Sequence, residues 1–223
     1  MRLVEAVVNS IIRCATWVGC RFHGEDLSRI PATGPLIIAA NHINSLEVPI
    51  VYTRLWPRPV TGFAKAETWA NPILRPLFDL WGAIPLKRGQ ADMSAIKGAL
   101  KALKEKRILA VAPEGTRSSD GQMGRGKPGI VTLALHSGAP ILPMVYYGHE
   151  QYKEKFKRLR RIDFHLKVGR PFRVVAAGEK LNAEIRQRMV DEIMFQLARL
   201  LPASYRGAYQ DLSATTQKYL EFV

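Results

Sequence analysis

Short apolar runs of strand length alternate with stretches of helical periodicity along most of this chain, and no other feature constrains its fold as strongly. Residues 36–40, 60–65, 83–86, 108–112, 141–147, 164–168 and 172–175 read as strands. Between and after them, helices are expected from about Val48-Pro49, over 71–80, 91–106 and 130–137, and along the apolar face of Ile185, Met189, Ile193, Leu197 and Leu201. Residues 20–35 read as a polar, turn-rich connection, and a last weak helix is expected from about 211 to the end. Strands alternating with helices imply an α/β class: a single domain with a mixed, largely parallel sheet flanked by helices. A length of 223 residues suits one well-cored domain of that kind.

The chain opens differently. Val4, Val7, Val8, Ile11, Ile12, Ala15 and Val18 recur at helical spacing, with Arg2, Glu5, Asn9, Arg13 and Thr16 opposite, until Gly19 ends the pattern. Residues 1–20 therefore form an N-terminal amphipathic helix set before a main domain of 21–223. Two readings of it stand: docking on the core, or insertion into a bilayer interface with Trp17 near the headgroups. Glu5, Asn9 and Arg13 interrupt any signal-peptide core, and no apolar run approaches the roughly 18 residues of a transmembrane helix. The formal charge of +14 calls for an anionic partner: nucleic acid, an acidic membrane surface or a phosphorylated substrate. Lys153, Lys155, Lys157, Arg158, Arg160 and Arg161, with Phe156 and Leu159 between them, suit a solvated face or such a surface. Cys14 and Cys20 read as small apolar residues, and the histidines are scattered, so no metal is expected.

The chemistry concentrates where strands end. Asn41-His42-Ile43-Asn44-Ser45-Leu46-Glu47-Val48-Pro49 follows the run 36–40. His42 is a candidate general base, and Glu47 can orient its ring and stabilise the imidazolium. In a regular helix positions five apart diverge by about 140°, so the two meet only if the backbone turns between them. The plainer reading makes Asn44…Glu47 a capping box. A second corner, Pro113-Glu114-Gly115-Thr116-Arg117-Ser118, follows the run 108–112, and both corners could open onto one crevice beyond the strand ends. There Arg117 offers a planar fork for phosphate, Gly115 a close backbone approach and Thr116 a hydroxyl. Gly121-x4-Gly126-Lys127 imitates a phosphate-binding loop, but Pro128 stands where Ser or Thr would hold Mg²⁺. No Gly-x-Ser-x-Gly elbow supplies a covalent nucleophile.

With both corners in view, the chain resembles the glycerolipid acyltransferases, in particular 1-acylglycerol-3-phosphate (lysophosphatidic acid) acyltransferases. Asn41-His42…Glu47, Lys87-Arg88-Gly89, Pro113 to Ser118 and Pro140-Ile141-Leu142-Pro143 stand in that family's order, over about residues 34–148. The acid is Glu here, where Asp is usual. The resemblance implies that His42 and Glu47 are catalytic, that Arg88, Arg117 and Lys65 hold the substrate phosphate, and that Glu114, Gly115 and Thr116 shape its pocket. It implies acyl transfer from acyl-CoA or acyl-ACP to a lysophospholipid, most simply 1-acyl-sn-glycerol-3-phosphate, with no cofactor. It implies a membrane-docking helix ahead of an acyltransferase domain, on the cytoplasmic face of an acidic bacterial membrane, with acyl carrier protein a further expected partner. The rival readings are a same-fold acyltransferase for another lipid or glycan hydroxyl, and a non-enzymatic basic protein binding nucleic acid. For the latter no recognition motif or aromatic stacking platform is present in the sequence.

Overall fold

The structure, a computed structural model, describes residues 2–87, 92–118 and 120–223, with the side chains of Arg2, Glu25 and Asp26 left aside. Its centre is strand β2, Leu36–Ala40, in which all five residues are buried. A continuous apolar run is what a strand covered on both faces requires. Leu36, Ile38 and Ala40 meet Ile50, Val51 and Trp81 on one side of the sheet. Ile37 and Ala39 meet Leu103, Ile130 and Ile193 on the other.

Around it lie β1 (Cys20–His23), β3 (Val60–Lys65), β4 (Ile84–Leu86), β5 (Ile108–Val111), β6 (Ile141–Tyr147), β7 (Ile162–Val168), β8 (Phe172–Val174) and β9 (Leu220–Phe222). The order is β1-β7-β6-β2-β5-β3-β4, with β8 and then β9 added beside β6. Strands β6, β2, β5, β3 and β4 run parallel; β7 and β8 run antiparallel to β6. The mixed, largely parallel sheet between helices is the architecture expected from the alternation. The chain adds β5 on one side of β2 and the next strand, β6, on the other, so the carboxyl ends of β2 and β5 flank a switch point.

The helices are α1 (Arg2–Gly19), α2 (Glu47–Leu55), α3 (Leu74–Trp81), α4 (Met93–Lys104), α5 (Gly129–Ser137), α6 (Tyr152–Lys157) and α7 (Ala183–Leu200). Asp92 and Asn182 cap α4 and α7 by accepting from backbone amides. Helix α3 begins later than 71 because Asn71 Oδ1 already accepts the amides of Ile73 and Leu74, and it stops at the left-handed Gly82. Helix α1 turns Asn9 and Thr16, with the apolar Ile12 between them, toward the core. Asn9 and Thr16 are buried and Trp81 Nε1 donates to Asn9 Oδ1 at 3.0 Å, whereas Leu3, Val4, Val7, Ile11, Trp17 and Val18 are exposed. No described helix is long and apolar enough to cross a membrane.

Two expectations fail. Residues 20–35 are not wholly loop, because β1 pairs in parallel with β7 from Cys20↔Ile162 to His23↔His165. Four residues, Cys20-Arg21-Phe22-His23, are too few to carry much strand signal, and the partner lies far along the chain. The end of the chain forms a 3₁₀ turn, Leu212–Ala214, and strand β9 rather than a helix. The cause is the buried Glu192 carboxylate on α7, which accepts from Thr216 Oγ1 and from the amides of Lys218 and Tyr219, drawing that segment out extended.

Candidate active site

Where β2 runs out, a side chain continues its ladder. Asn41 accepts from the Tyr146 amide at 2.8 Å and donates to the Tyr146 carbonyl at 2.9 Å, tying the corner to β6. The chain then turns sharply. Asn44 Oδ1 accepts the Leu46 amide at 2.9 Å, and Asn44 Nδ2 donates to the His149 carbonyl at 3.0 Å. Helix α2 begins at Glu47, whose carboxylate folds back over this turn. Its Oε1 accepts the amides of Ile43 at 2.8 Å and Asn44 at 2.9 Å, and its Oε2 accepts a hydrogen bond from His42 Nδ1. The turn between His42 and Glu47 thus brings them together, while the Asn44 amide bond supplies half of a capping box.

Glu47 is 3% exposed, and a third donor reaches it: Nε2 of His149 lies 2.9 Å from Oε1. Burial pushes this carboxyl up, but the bonds from His149 and His42 outweigh it, and the net position is below the ordinary range. Glu47 is therefore an anion set between two imidazoles.

The second corner locks onto the first. Glu114, buried at the end of β5, accepts the His42 amide on Oε1 at 3.3 Å and the Gly124 amide on Oε2 at 2.7 Å. The Ser118 amide donates to the His42 carbonyl at 2.8 Å, and the Lys127 amide to the Pro113 carbonyl at 2.8 Å. Burial raises the Glu114 carboxyl even against its two amide bonds. Gly115 sits at φ +70°, a left-handed turn that suits glycine, and a Cβ there would come within 3.2 Å of Lys127 Nζ.

Arg117 Nε donates to His42 Nε2 at 3.4 Å. A guanidinium has no acceptor, so Nε2 carries the lone pair and Nδ1 the proton given to Glu47. This is the tautomer a general base needs, with its free nitrogen facing the exposed Arg117.

Of the residues expected at the site, His42, Glu47, Glu114 and Arg117 are joined by hydrogen bonds, and Gly115 and Thr116 lie in the same turn. Lys65 stands exposed at the carboxyl end of β3, where its side chain makes no hydrogen bond or ion pair among the described residues. Arg88 lies outside the described residues. His149 and Arg125 escaped the sequence reading. His149, in a Gly148-His149 step just after β6, meets Glu47 from the far side. Arg125 and Lys127 join Thr116 and Arg117 along a basic groove of about 460 Å³. Beside His42 an apolar chamber of about 120 Å³ runs between α2 and the sheet, lined by Val48, Val51, Tyr52, Phe63 and Val111. No group of three or more His, Cys, Asp or Glu among the described residues is arranged to hold a metal ion.

Comparison with known proteins gives four findings. The family described as Acyltransferase matches residues 20–147. A 1-acyl-sn-glycerol-3-phosphate acyltransferase of Bacillus subtilis (strain 168) is 31% identical over 169 residues, covering 71% of this chain and 83% of that protein. One from Limnanthes alba is 34% identical over 137 residues, 59% of this chain, which spans only 48% of the plant protein. Among solved structures, the 1-acyl-sn-glycerophosphate (LPA) acyltransferase PlsC from Thermotoga maritima shares the fold. Its TM-score is 0.69 at 23% identity, over 89% of this chain and 80% of that one.

Proposed function

The chain belongs to the acyltransferase family, and from that premise we propose that it acylates the free hydroxyl of 1-acyl-sn-glycerol-3-phosphate, giving phosphatidic acid. The observation that carries this reading is the pairing at one imidazole: Glu47 on Nδ1, and on the other side a lone-pair nitrogen beside Arg117. A base and a phosphate-seeking cation sit within reach of one small polar acceptor.

The acceptor's phosphate lies against Arg117 and the basic groove, with Arg88 and Lys65 completing its field. Its hydroxyl replaces Arg117 as the partner of His42 Nε2. As that proton passes to Nε2, the oxygen attacks the thioester carbonyl carbon, and Glu47 stabilises the imidazolium. Collapse of the tetrahedral intermediate breaks the C–S bond, and the departing thiolate takes the proton back. The phosphate contacts turn binding energy into orientation of the hydroxyl. The apolar chamber beside His42 receives the donor's acyl chain. The donor is an acyl thioester on CoA or acyl carrier protein, and no cofactor takes part. The enzyme works as a peripheral protein on the cytoplasmic face of the membrane, with the exposed apolar face of α1 in the interface.

The test incubates the purified protein with 1-oleoyl-sn-glycerol-3-phosphate and either oleoyl-CoA or oleoyl-acyl carrier protein, and follows phosphatidic acid by mass spectrometry. Product with at least one donor, lost in His42→Ala, is expected. Arg117→Ala should raise KM for the acceptor several-fold more than for the donor. No phosphatidic acid from either donor, while another lysolipid is acylated, would overturn the acceptor. A KM effect confined to the donor would move Arg117 to the thioester's side.

A further inference from the structure

We infer that His149 is a positioning residue for this reaction, holding Glu47 so that only one of its oxygens is offered to His42. The inference rests on the reading of His42 as the base. It starts from the backbone. Beyond β6 the chain passes through Gly148 at φ +88°, where a Cβ would stand 2.7 Å from the Asp163 carbonyl oxygen. That left-handed step, open in practice to glycine alone, turns His149 under the histidine corner.

There the ring is wholly buried, 4.5 Å from the Phe164 ring centroid, with Nε2 2.9 Å from Glu47 Oε1. Its other nitrogen, Nδ1, is buried without a partner among the described residues. That orphan atom selects the state of the ring. A proton on Nδ1 would be a buried donor with no acceptor, which is costly, whereas a bare lone pair is tolerated more cheaply. The proton therefore sits on Nε2, and His149 acts as a donor to Glu47.

The consequence lies in the carboxylate. Oε1 receives three donors, the amides of Ile43 and Asn44 and the His149 ring, so it is saturated. Rotation that would exchange the two oxygens breaks all three bonds. Oε2 is left for His42 alone. A Glu side chain has one more rotatable bond than an Asp, and the ring supplies the restraint that this longer arm needs.

Steady-state kinetics with oleoyl-CoA and 1-oleoyl-sn-glycerol-3-phosphate test this. His149→Phe keeps the packing on Phe164 and removes the donor. It should lower kcat about tenfold or more while both KM values stay within about twofold. His149→Gln places an amide donor near the position of Nε2 and should recover most of the rate; His149→Asn, equally polar but too short, should not. That pair decides the matter if the Phe variant folds poorly. In a Glu47→Gln background, His149→Phe should cost little more, because the oxygen it orients is already gone. A wild-type kcat in folded His149→Phe, equal rates for Gln and Asn, or losses at 47 and 149 that simply multiply would each overturn the inference. An inactive His42→Ala beside a fully active His149→Phe sinks this inference alone. A fully active His42→Ala sinks the base reading with it.

Discussion

Glu47 meets four donors with two oxygens, and under the proposed reaction the division between them separates a cap from a catalytic partner. Oε1 serves the turn and Oε2 serves His42. Glu47→Gln leaves an oxygen for the turn but offers no carboxylate to the imidazolium, so kcat should fall by about 100-fold with a smaller change in thermal midpoint. Glu47→Asp withdraws the charge by about 1.5 Å and should retain intermediate activity, well above Gln. A Gln variant that matches wild type in rate and loses only stability would make Glu47 a cap and nothing more. The same carboxyl sets a pH dependence. Its folded value lies below the ordinary one, so in the window between them the unfolded chain binds more protons and stability rises with pH. That contribution is complete above the ordinary carboxylate range and is lost as pH falls through the depressed value. Glu114, raised by burial, acts with the opposite sign at higher pH. Urea unfolding against pH should therefore show a flatter acid limb in Glu47→Gln than in wild type. The pairing of His42 with Glu47 was legible in the sequence because the two lie five residues apart, in the turn between the end of a strand-length run and the start of a helix. His149 was not, since it meets Glu47 across 102 residues and only the sheet brings the two together.

Helix α1 is amphipathic with the expected period but faces the other way from a helix simply docked on a core. Periodicity reveals that two faces exist, not which one the protein covers. Here Trp81 needs an acceptor for its indole N–H, Asn9 provides it, and the face that bears Asn9 goes inward. Deleting the helix would confound membrane release with damage to that contact, so the faces should be changed one at a time. Val7→Ser with Ile11→Ser, both on exposed positions, should leave stability within about 0.5 kcal/mol. The same pair should weaken binding to phosphatidylglycerol-containing vesicles at least tenfold, since each apolar side chain buried contributes about 1.5–3 kcal/mol. Asn9→Ala should do the reverse, costing about 1–3 kcal/mol by stranding the Trp81 donor while vesicle binding persists. Sedimentation with vesicles beside chemical denaturation reads both. Undiminished binding of the serine variant would remove α1 from the interface. The missed strands β1 and β9 share one cause: each is only three or four residues long and is held by a partner strand distant in sequence.

At the scale of the whole molecule, alternation gave the class, because a strand such as β2, apolar at every position, has no stable place except between two layers. Strand order was not legible, since each crossover depends on packing that local pattern does not carry. Net charge is also a property of the whole, and +14 makes a specific demand. Raising salt from about 0.05 to 0.5 M shortens the screening length severalfold, so binding to acidic vesicles should fall steeply. The residual binding to neutral phosphatidylcholine, carried by the apolar face of α1, should barely change. Equal salt sensitivity on both vesicles would assign the charge no part in docking. Helix α1 ends at Gly19 and β1 starts at Cys20 with no residue between them, and Arg161 donates to the carbonyls of both Trp17 and Cys20 at 2.7 Å. Such a joint is a bracket and not a tether. If α1 lies on a bilayer as proposed, the sheet behind it would lose the freedom to tumble and keep only lateral drift and spin about the membrane normal. Every lipid it met would then arrive at the mouth of the site from the same side and at the same tilt.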